Sequence, residues 1–281
     1  MTILEVITKT TPFFEKHGVE SPRLTIELLL AQVLQKKRLE LYLEFERVLD
    51  EATLARLREM VRRRAAGEPL QYITGEAEFH GWKLTVDRRV LIPRPETELL
   101  VDVVAARQPA SVVDVGTGSG CVAVALAKLL PNAEILATDI SAEALSVAQV
   151  NAARHGVEKN VRFFAGDLLS AIPSSVRVEA VVSNPPYIAR GDWATLPKEV
   201  RDFEPALALA AGEDGLEIIH RLVTAAGRAL APTGFVALEI GAGQRAAVER
   251  LFGEHEFAVV EVVKDLQGHE RVMVAQPCHA V

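Results

Sequence analysis

The chain has 281 residues, 49% hydrophobic and 25% charged, with a net charge of −7, a balance that suits one large or two modest globular domains. No apolar run approaches the roughly 18 residues that a membrane span needs, and the opening MTILEVITKT lacks the basic and apolar regions of a secretory leader, so a cytoplasmic protein is expected. Cys121 and Cys278 stand far apart without a CxxC, and the seven histidines are scattered, which argues against a disulfide framework and against a metal centre.

Residues 1 to about 70 are expected to be helical. SPRLTIELLLAQVLQ places Ser21 as N-cap and Pro22 at the first helical position, with Leu24, Ile26, Leu28, Leu29, Ala31, Val33 and Leu34 over a broad apolar face. A second helix, from about Asp50 to Ala66, carries Leu54, Leu57, Met60 and Val61 at three- and four-residue spacing. The run RRR at 62–64 is the one dense basic cluster and is expected to be a solvated helix face. Residues 1–72 carry +1 and the remainder −8, so the larger part lacks a basic nucleic-acid footprint. AGEPL at 66–70 breaks the helical pattern. YITGEAEFHGWKLTVDRRVLI then reads as two strands around His80-Gly81. This divides the chain into a helical domain (1–72), a hairpin linker (73–92) and a catalytic domain (93–281).

From Ser111 strands and helices alternate. Strands are expected at 111–115, 134–138, 161–165, 179–183 and 234–240, and helices at 119–130, 141–155, 213–230 and 244–253. Such alternation implies crossovers and a parallel sheet covered on both faces, an α/β fold. Only KDLQGHE separates FAVVEVV from RVMVA, too little for a crossover helix, so the last strand should run antiparallel to its neighbours.

VVDVGTGSG is a strand ending in a glycine loop that opens a helix, with Gly116, Gly118 and Gly120 in GxGxG spacing. The dinucleotide fingerprint wants its third glycine one residue later, where this chain has Cys121. That disfavours a nicotinamide cofactor and suits a smaller nucleoside ligand. The next strand ends at Asp139, placed to accept from both hydroxyls of a ribose; the alternative role is to cap the following helix, for which Ser141 is better placed. Asp167, after the third strand, either accepts from an exocyclic adenine amine or caps a short helix at Leu168.

The fourth strand, VVS, runs into Asn184-Pro185-Pro186-Tyr187. Ligands of open α/β sheets sit outside the carboxyl ends of the strands, so this tetrapeptide should face the glycine loop. Proline fixes φ and has no N–H, leaving the Asn184 side chain and nearby carbonyls as directed acceptors for a planar NH2 group, with the Tyr187 ring to stack on it.

These features resemble S-adenosylmethionine-dependent methyltransferases acting on planar nitrogens. GEPLQYITGEAEF, LIPRPETE, VVDVGTGSG, VSNPPYI, FEPALAL and KDLQGHERV, in that order, look like the release-factor glutamine methyltransferases (HemK/PrmC family) over nearly the whole chain. The resemblance implies a Rossmann-like seven-stranded sheet with an antiparallel last strand, plus a small N-terminal helical domain. It also implies methylation of the glutamine in the Gly-Gly-Gln motif of release factors, with S-adenosyl-L-methionine as cofactor and S-adenosyl-L-homocysteine as product. By the same resemblance Gly116, Thr117, Gly118, Ser119 and Gly120 wrap the methionine part of the cofactor and Asp139 holds the ribose. Asp167 and Leu168 lie at the adenine; relatives often carry an aromatic ring at the latter position, so Leu168 keeps a backbone contact at most. Asn184, Pro185, Pro186 and Tyr187 bind the substrate amide, with Asn184 also near the cofactor. IPRPETE, with Arg94 and Glu98, covers the cofactor or else only starts a helix.

A release factor is thus the expected partner of a monomer that takes no nucleic acid and no membrane. Asn184 and the Pro185 carbonyl are expected to accept both amide hydrogens, and Asn184→Asp is expected to keep more activity than Asn184→Ala. Two rivals share the motif: methylation of a ribosomal protein's glutamine, and of adenine N6, which the acidic catalytic part disfavours. A module that only senses the cofactor would not need the Asn-Pro-Pro-Tyr turn.

Overall fold

The computed structural model describes residues 1–278. The chain forms two units, Met1–Gly75 with Pro197–Phe203, and Glu76–Leu196 with the chain from Glu204 onward.

The first unit is helical. Thr2 opens α1 (Ile3–Lys16) with a capping box, its hydroxyl accepting from the Glu5 amide while the Glu5 carboxylate accepts from its own. In α2 (Pro22–Leu34) Pro22 takes the first position, yet Ser21 does not cap it. Capping needs an extended backbone at that residue, and Ser21 sits in the left-handed region at φ 44°, with its hydroxyl making no capping bond. A single turn, α3 (Arg38–Leu41), leads to α4 (Glu51–Ala65), capped by Asp50 Oδ1 on the Thr53 amide at 2.7 Å. Ile3, Phe14, Ile26, Leu29 and Leu30 form the fully buried centre of this unit. The expectation of a solvated Arg62–Arg64 face is corrected. Successive helical residues turn by about 100°, so Arg62 is exposed, Arg63 pairs with Glu68, and Arg64 turns inward. There it donates to the Glu68 carbonyl and the Glu199 carboxylate, both within this unit. The unit's main run ends at α5 (Leu70–Thr74) and Gly75.

The second unit opens with the antiparallel hairpin β1 (Glu76–Phe79) and β2 (Trp82–Thr85). His80 and Gly81 both take positive φ, as a two-residue turn of matching twist requires. Next come α6 (Glu96–Ala105), β3 (Ser111–Val115), α7 (Cys121–Leu129), β4 (Glu134–Asp139), α8 (Ala142–Arg154), β5 (Val161–Ala165) and β6 (Val178–Ser183). The short α9 (Lys198–Phe203) belongs to the first unit. The chain returns for α10 (Glu217–Ala229), β7 (Leu230–Glu239), α11 (Arg245–Glu254), β8 (Phe257–Lys264) and β9 (Glu270–Pro277). The helix expected from 213 starts four residues later because Gly212 and Gly215 hold left-handed backbone. β7 begins earlier than expected, at Leu230, and its pairing with β6 shifts register before Phe235, an irregularity that accommodates Pro232.

The sheet order is β5-β4-β3-β6-β7-β9-β8, with β9 antiparallel to both neighbours and the others parallel. Alternate residues of each strand feed two separate cores. Val112, Ile135 and Val182 pack with Leu100, Val104 and Leu126 on one face. Val113, Leu136 and Val181 pack with Ile219, Leu222 and Phe252 on the other. The connection order reverses between β3 and β6, which opens a crevice at their carboxyl ends. The glycine loop follows one of those strands and Asn184 the other.

Gly120 seats α7 against α8: a Cβ there would lie 2.9 Å from Ala148 Cβ and 3.1 Å from its Cα, at φ +78°. Gly116, at φ +72°, has nothing within 4 Å of that position. Gly120→Ala is therefore expected to cost about 1–3 kcal/mol of stability from strain and overpacking together. Gly116→Ala should cost nearer about 1 kcal/mol, from backbone strain alone. Urea midpoints measure both, and equal shifts would mean that contact with α8 sets nothing.

Candidate active site at the β3–β6 crevice

The loop after β3 is held from beneath by β4. The amides of Gly116 and Thr117 donate to the Thr138 carbonyl at 2.8 and 2.9 Å, and Thr117 Oγ1 donates to Asp114 Oδ2 at 2.6 Å. Buried Asn151 ties the Ser119 carbonyl to the end of β2 through both ends of its amide. The upper face of the loop is left open: Cβ positions at Gly116 and Gly118 meet nothing, and the buried Ser119 hydroxyl has no partner beyond the Cys121 thiol beside it. A cavity of about 40 Å³ runs along this face, bounded by Pro93, Arg94, Thr97, Gly116–Ser119 and Asn184.

Asp139, half-buried at the end of β4, accepts from the Gly118 and Ser141 amides, each at 2.9 Å. Ser141 itself caps α8 through its hydroxyl and the Ala144 amide. These bonds leave part of the carboxylate's acceptor capacity for a further donor. Burial raises its pKa, against the pull of the Ser141, Gly118 and Ile140 amides.

Asp167 and Leu168 lie apart from that cavity. The Asp167 carboxylate pairs with Arg221 on α10, and both residues border a second cavity of about 440 Å³ with Leu168, Ile172 and Thr224. No helix starts at Leu168, which holds φ 51° in a turn closed by the Ser170 amide on the Asp167 carbonyl, so the alternative capping role falls away.

Asn184-Pro185-Pro186-Tyr187 leaves β6 as a tightly held turn. Gln244 Nε2 donates to the Tyr187 carbonyl at 3.2 Å, and a Cβ on Gly215 would lie 2.5 Å from that carbonyl oxygen, so only glycine allows the approach. The Ile188 amide donates to the Leu209 carbonyl and the Ala211 amide to the Ile188 carbonyl, which fixes the way out of the turn. Asn184 Nδ2 donates to Thr97 Oγ1 at 2.9 Å, and Thr97 Oγ1 donates to Glu239 Oε2 at 2.6 Å. Asn184 Oδ1 is then the end of the amide left to accept at the crevice. Glu98 instead accepts from the His80 amide, and Arg94 pairs with Glu204, which also accepts from the Ile92 amide.

Three residues here escape sequence reasoning: Asp114, Glu239 and Thr97. The first two left a signal, an acid embedded in an apolar strand, VVDV and FVALEI, where a charge must have a partner; Thr97 left none. Burial pushes Asp114 to about 7 against its Thr117 bond, and Glu239 to about 7 against its Thr97 bond. Burial likewise pushes Tyr187 to about 12.

This sheet order, with a glycine loop and an Asn-Pro-Pro-Tyr turn flanking the crevice, defines a Rossmann-like methyltransferase. The methyltransferase small domain model matches residues 95–198, and the PrmC N-terminal domain model matches residues 5–75. The chain is 43% identical to the release factor glutamine methyltransferase of Chlorobaculum tepidum, over 96% of this chain and 95% of that one. It is 42% identical to the release factor glutamine methyltransferase of Geobacter sulfurreducens, over 97% and 95%. The chain belongs to the release factor glutamine methyltransferase family. Among solved structures, the ribosomal protein L11 methylase of Lactobacillus delbrueckii subsp. bulgaricus shares the fold, with a TM-score of 0.51 and 24% identity over 69% of this chain and 84% of that one. Among the described residues no His, Cys, Asp and Glu group could hold a metal ion, and no helix is long and apolar enough to cross a membrane.

The raised pKa of Asp114 carries a sign. The folded state binds its proton more tightly than the unfolded chain, so its contribution to stability is full below about pH 4 and is lost as pH rises through about 7. Asp114→Asn removes this dependence. Whatever its constant offset, the variant's stability relative to the native chain should rise by more than about 1 kcal/mol between pH 4 and 8. Urea unfolding across that range measures it, and a flat difference would place the Asp114 pKa near its usual value.

Proposed function

We propose that this protein transfers the methyl group of S-adenosyl-L-methionine to the side-chain amide nitrogen of the Gly-Gly-Gln glutamine in peptide chain release factors. The observation that carries this reading is the Asn184 amide, whose donor end is engaged by Thr97 while its acceptor end is left at the crevice beside the glycine loop. A glutamine amide offers two N–H donors, and Asn184 Oδ1 with the Pro185 carbonyl supplies the two acceptors. Proline brings no N–H to compete. The Tyr187 ring and the proline faces hold the amide plane between them.

The residues present fit the cofactor. Gly116 and Gly118 allow close approach to the backbone, the Ser119 hydroxyl has capacity to spare, and the Asp139 carboxylate retains acceptor capacity for a ribose hydroxyl. When bound, the cofactor supplies a sulfonium methyl group that is already strongly electrophilic. The protein's part is then alignment, which in well-oriented systems contributes roughly 7–11 kcal/mol. Two accepted hydrogen bonds raise electron density on the amide nitrogen and aim it across the crevice. The helical unit is assigned to docking of the protein substrate, and the −8 charge of the remainder disfavours a polyanion. A cytoplasmic monomer suits such a role.

Labelled cofactor offered separately to release factor, ribosomal proteins, DNA and RNA tests the reading. Label is expected in the release-factor glutamine; label in nucleic acid at low salt, where electrostatic binding is strongest, would overturn it. Asp139→Ala removes two charge-assisted bonds of about 1.5–3 kcal/mol each, partly recovered by water, and should weaken cofactor binding at least about tenfold by calorimetry. Asn184→Ala should lower kcat by about 10²–10³ with cofactor affinity nearly intact, measured in single turnovers. The structure changes the expectation for Asn184→Asp: with Thr97 already donating to Glu239, a second carboxylate would face a lone pair. It should fall close to Ala.

A further inference from the structure

We infer that Thr97 and Glu239 act as a positioning relay that sets which way round the Asn184 side-chain amide points. This rests on the proposed reading of the crevice as the glutamine site. A carboxamide is nearly symmetric in shape, and exchanging its oxygen and nitrogen turns an acceptor into a donor. A donor at that end would oppose the NH2 of an incoming amide. Shape cannot choose between the two orientations, so hydrogen bonding must.

Thr97 alone does not choose either, because a hydroxyl both donates and accepts. Glu239 breaks the tie. Thr97 is 2% exposed and Glu239 1% exposed, and the hydroxyl's one hydrogen is committed to Glu239 Oε2. Thr97 Oγ1 then presents only lone pairs to Asn184, which must turn Nδ2 toward it and Oδ1 away. The three members come from α6, the end of β6 and the end of β7, so the fold brings them together from positions far apart in the chain. An ionised Glu239 sets the direction. Once protonated it can donate to Thr97, whose hydrogen is then released toward Asn184, and both orientations of the amide become available.

The groups facing Glu239 are Thr97 and Glu96 from α6, Tyr187 from the turn and Arg271 from β9. Burial pushes the carboxyl up to about 7 and Glu96 adds to this, against Thr97, Arg271 and Tyr187. Turnover should therefore fall as pH drops through about 7.

Thr97→Val keeps the shape and removes the relay, Thr97→Ser keeps the hydroxyl, and Glu239→Gln removes the titration. Single-turnover methylation of release factor, cofactor affinity by calorimetry, and hydrogen exchange of the Asn184 side-chain amide by NMR are read on all three. Thr97→Val should lower kcat about tenfold or more, with KM for release factor moving less and cofactor affinity within about twofold. Thr97→Ser should restore most of the rate, and Glu239→Gln should abolish the acid limb. In the native chain the Asn184 amide protons should exchange slowly, and in Thr97→Val quickly. Native rates and unchanged Asn184 exchange in Thr97→Val overturn the relay. So does an equal loss of cofactor affinity, which would mark a general structural role. If the native chain leaves release factor unmethylated while Asn184 exchange still depends on Thr97, the relay stands and the substrate reading falls.

Discussion

Parallel pairing of β3 with β6, Val112–Asp114 against Ala180–Val182, is the constraint on which the rest of the site depends. The two strands are separated in the chain by the whole of α7, β4, α8 and β5, yet they end side by side. Because the connections diverge from this pair in opposite directions, neither crossover covers the space above it. A glycine loop on one strand and an Asn-Pro-Pro-Tyr turn on the other are thereby held at the two sides of one crevice. Both faces of the sheet are packed, so a slip of register would turn buried valines toward the wrong core.

The polar groups around the crevice follow from the same burial. Backbone at strand ends must find partners, and here much of it finds side chains: Asp139 takes the Gly118 and Ser141 amides, Gln244 gives to the Tyr187 carbonyl, and Ser183 gives to the Val115 carbonyl. Two acids are placed inside apolar strands, Asp114 beneath the loop and Glu239 beneath the turn. Each receives a threonine hydroxyl, which satisfies the carboxyl and leaves its charge incompletely balanced. Such groups sit where small displacements would matter to chemistry, one under each half of the proposed site.

The catalytic unit shares its sheet with proteins of quite different sequence, as the similarity in fold to the L11 methylase illustrates. The helical unit, matched by its own family model, carries its own core and ion pairs that each bury one partner. Fold alone leaves the acceptor open, since one sheet serves many methyl acceptors. In the reading we propose, the acceptor is specified by a few polar atoms at the tip of β6.

The order of elements was legible from the chain alone, because hydrophobic period, strand-ending glycines and a seven-residue link between the last two strands are local signals. The glycine loop, Asp139 and Asn184 were legible for the same reason: each is an unusual residue type at the end of a recognisable strand. Local pattern misplaced what depends on backbone detail, such as Ser21 in left-handed geometry, Arg64 turned into the core, and α10 delayed by Gly212 and Gly215. That Asp167 faces Arg221, 54 residues on, was likewise beyond local pattern. Thr97, Asn184 and Glu239 carry no shared motif, being 87 and 142 residues apart along the two bonds that join them. Residue types that can accept, donate or bend are determined by sequence. Which of their atoms are already committed is decided by tertiary structure, because a hydrogen bond depends on distance and direction, and those exist only once the strands have paired.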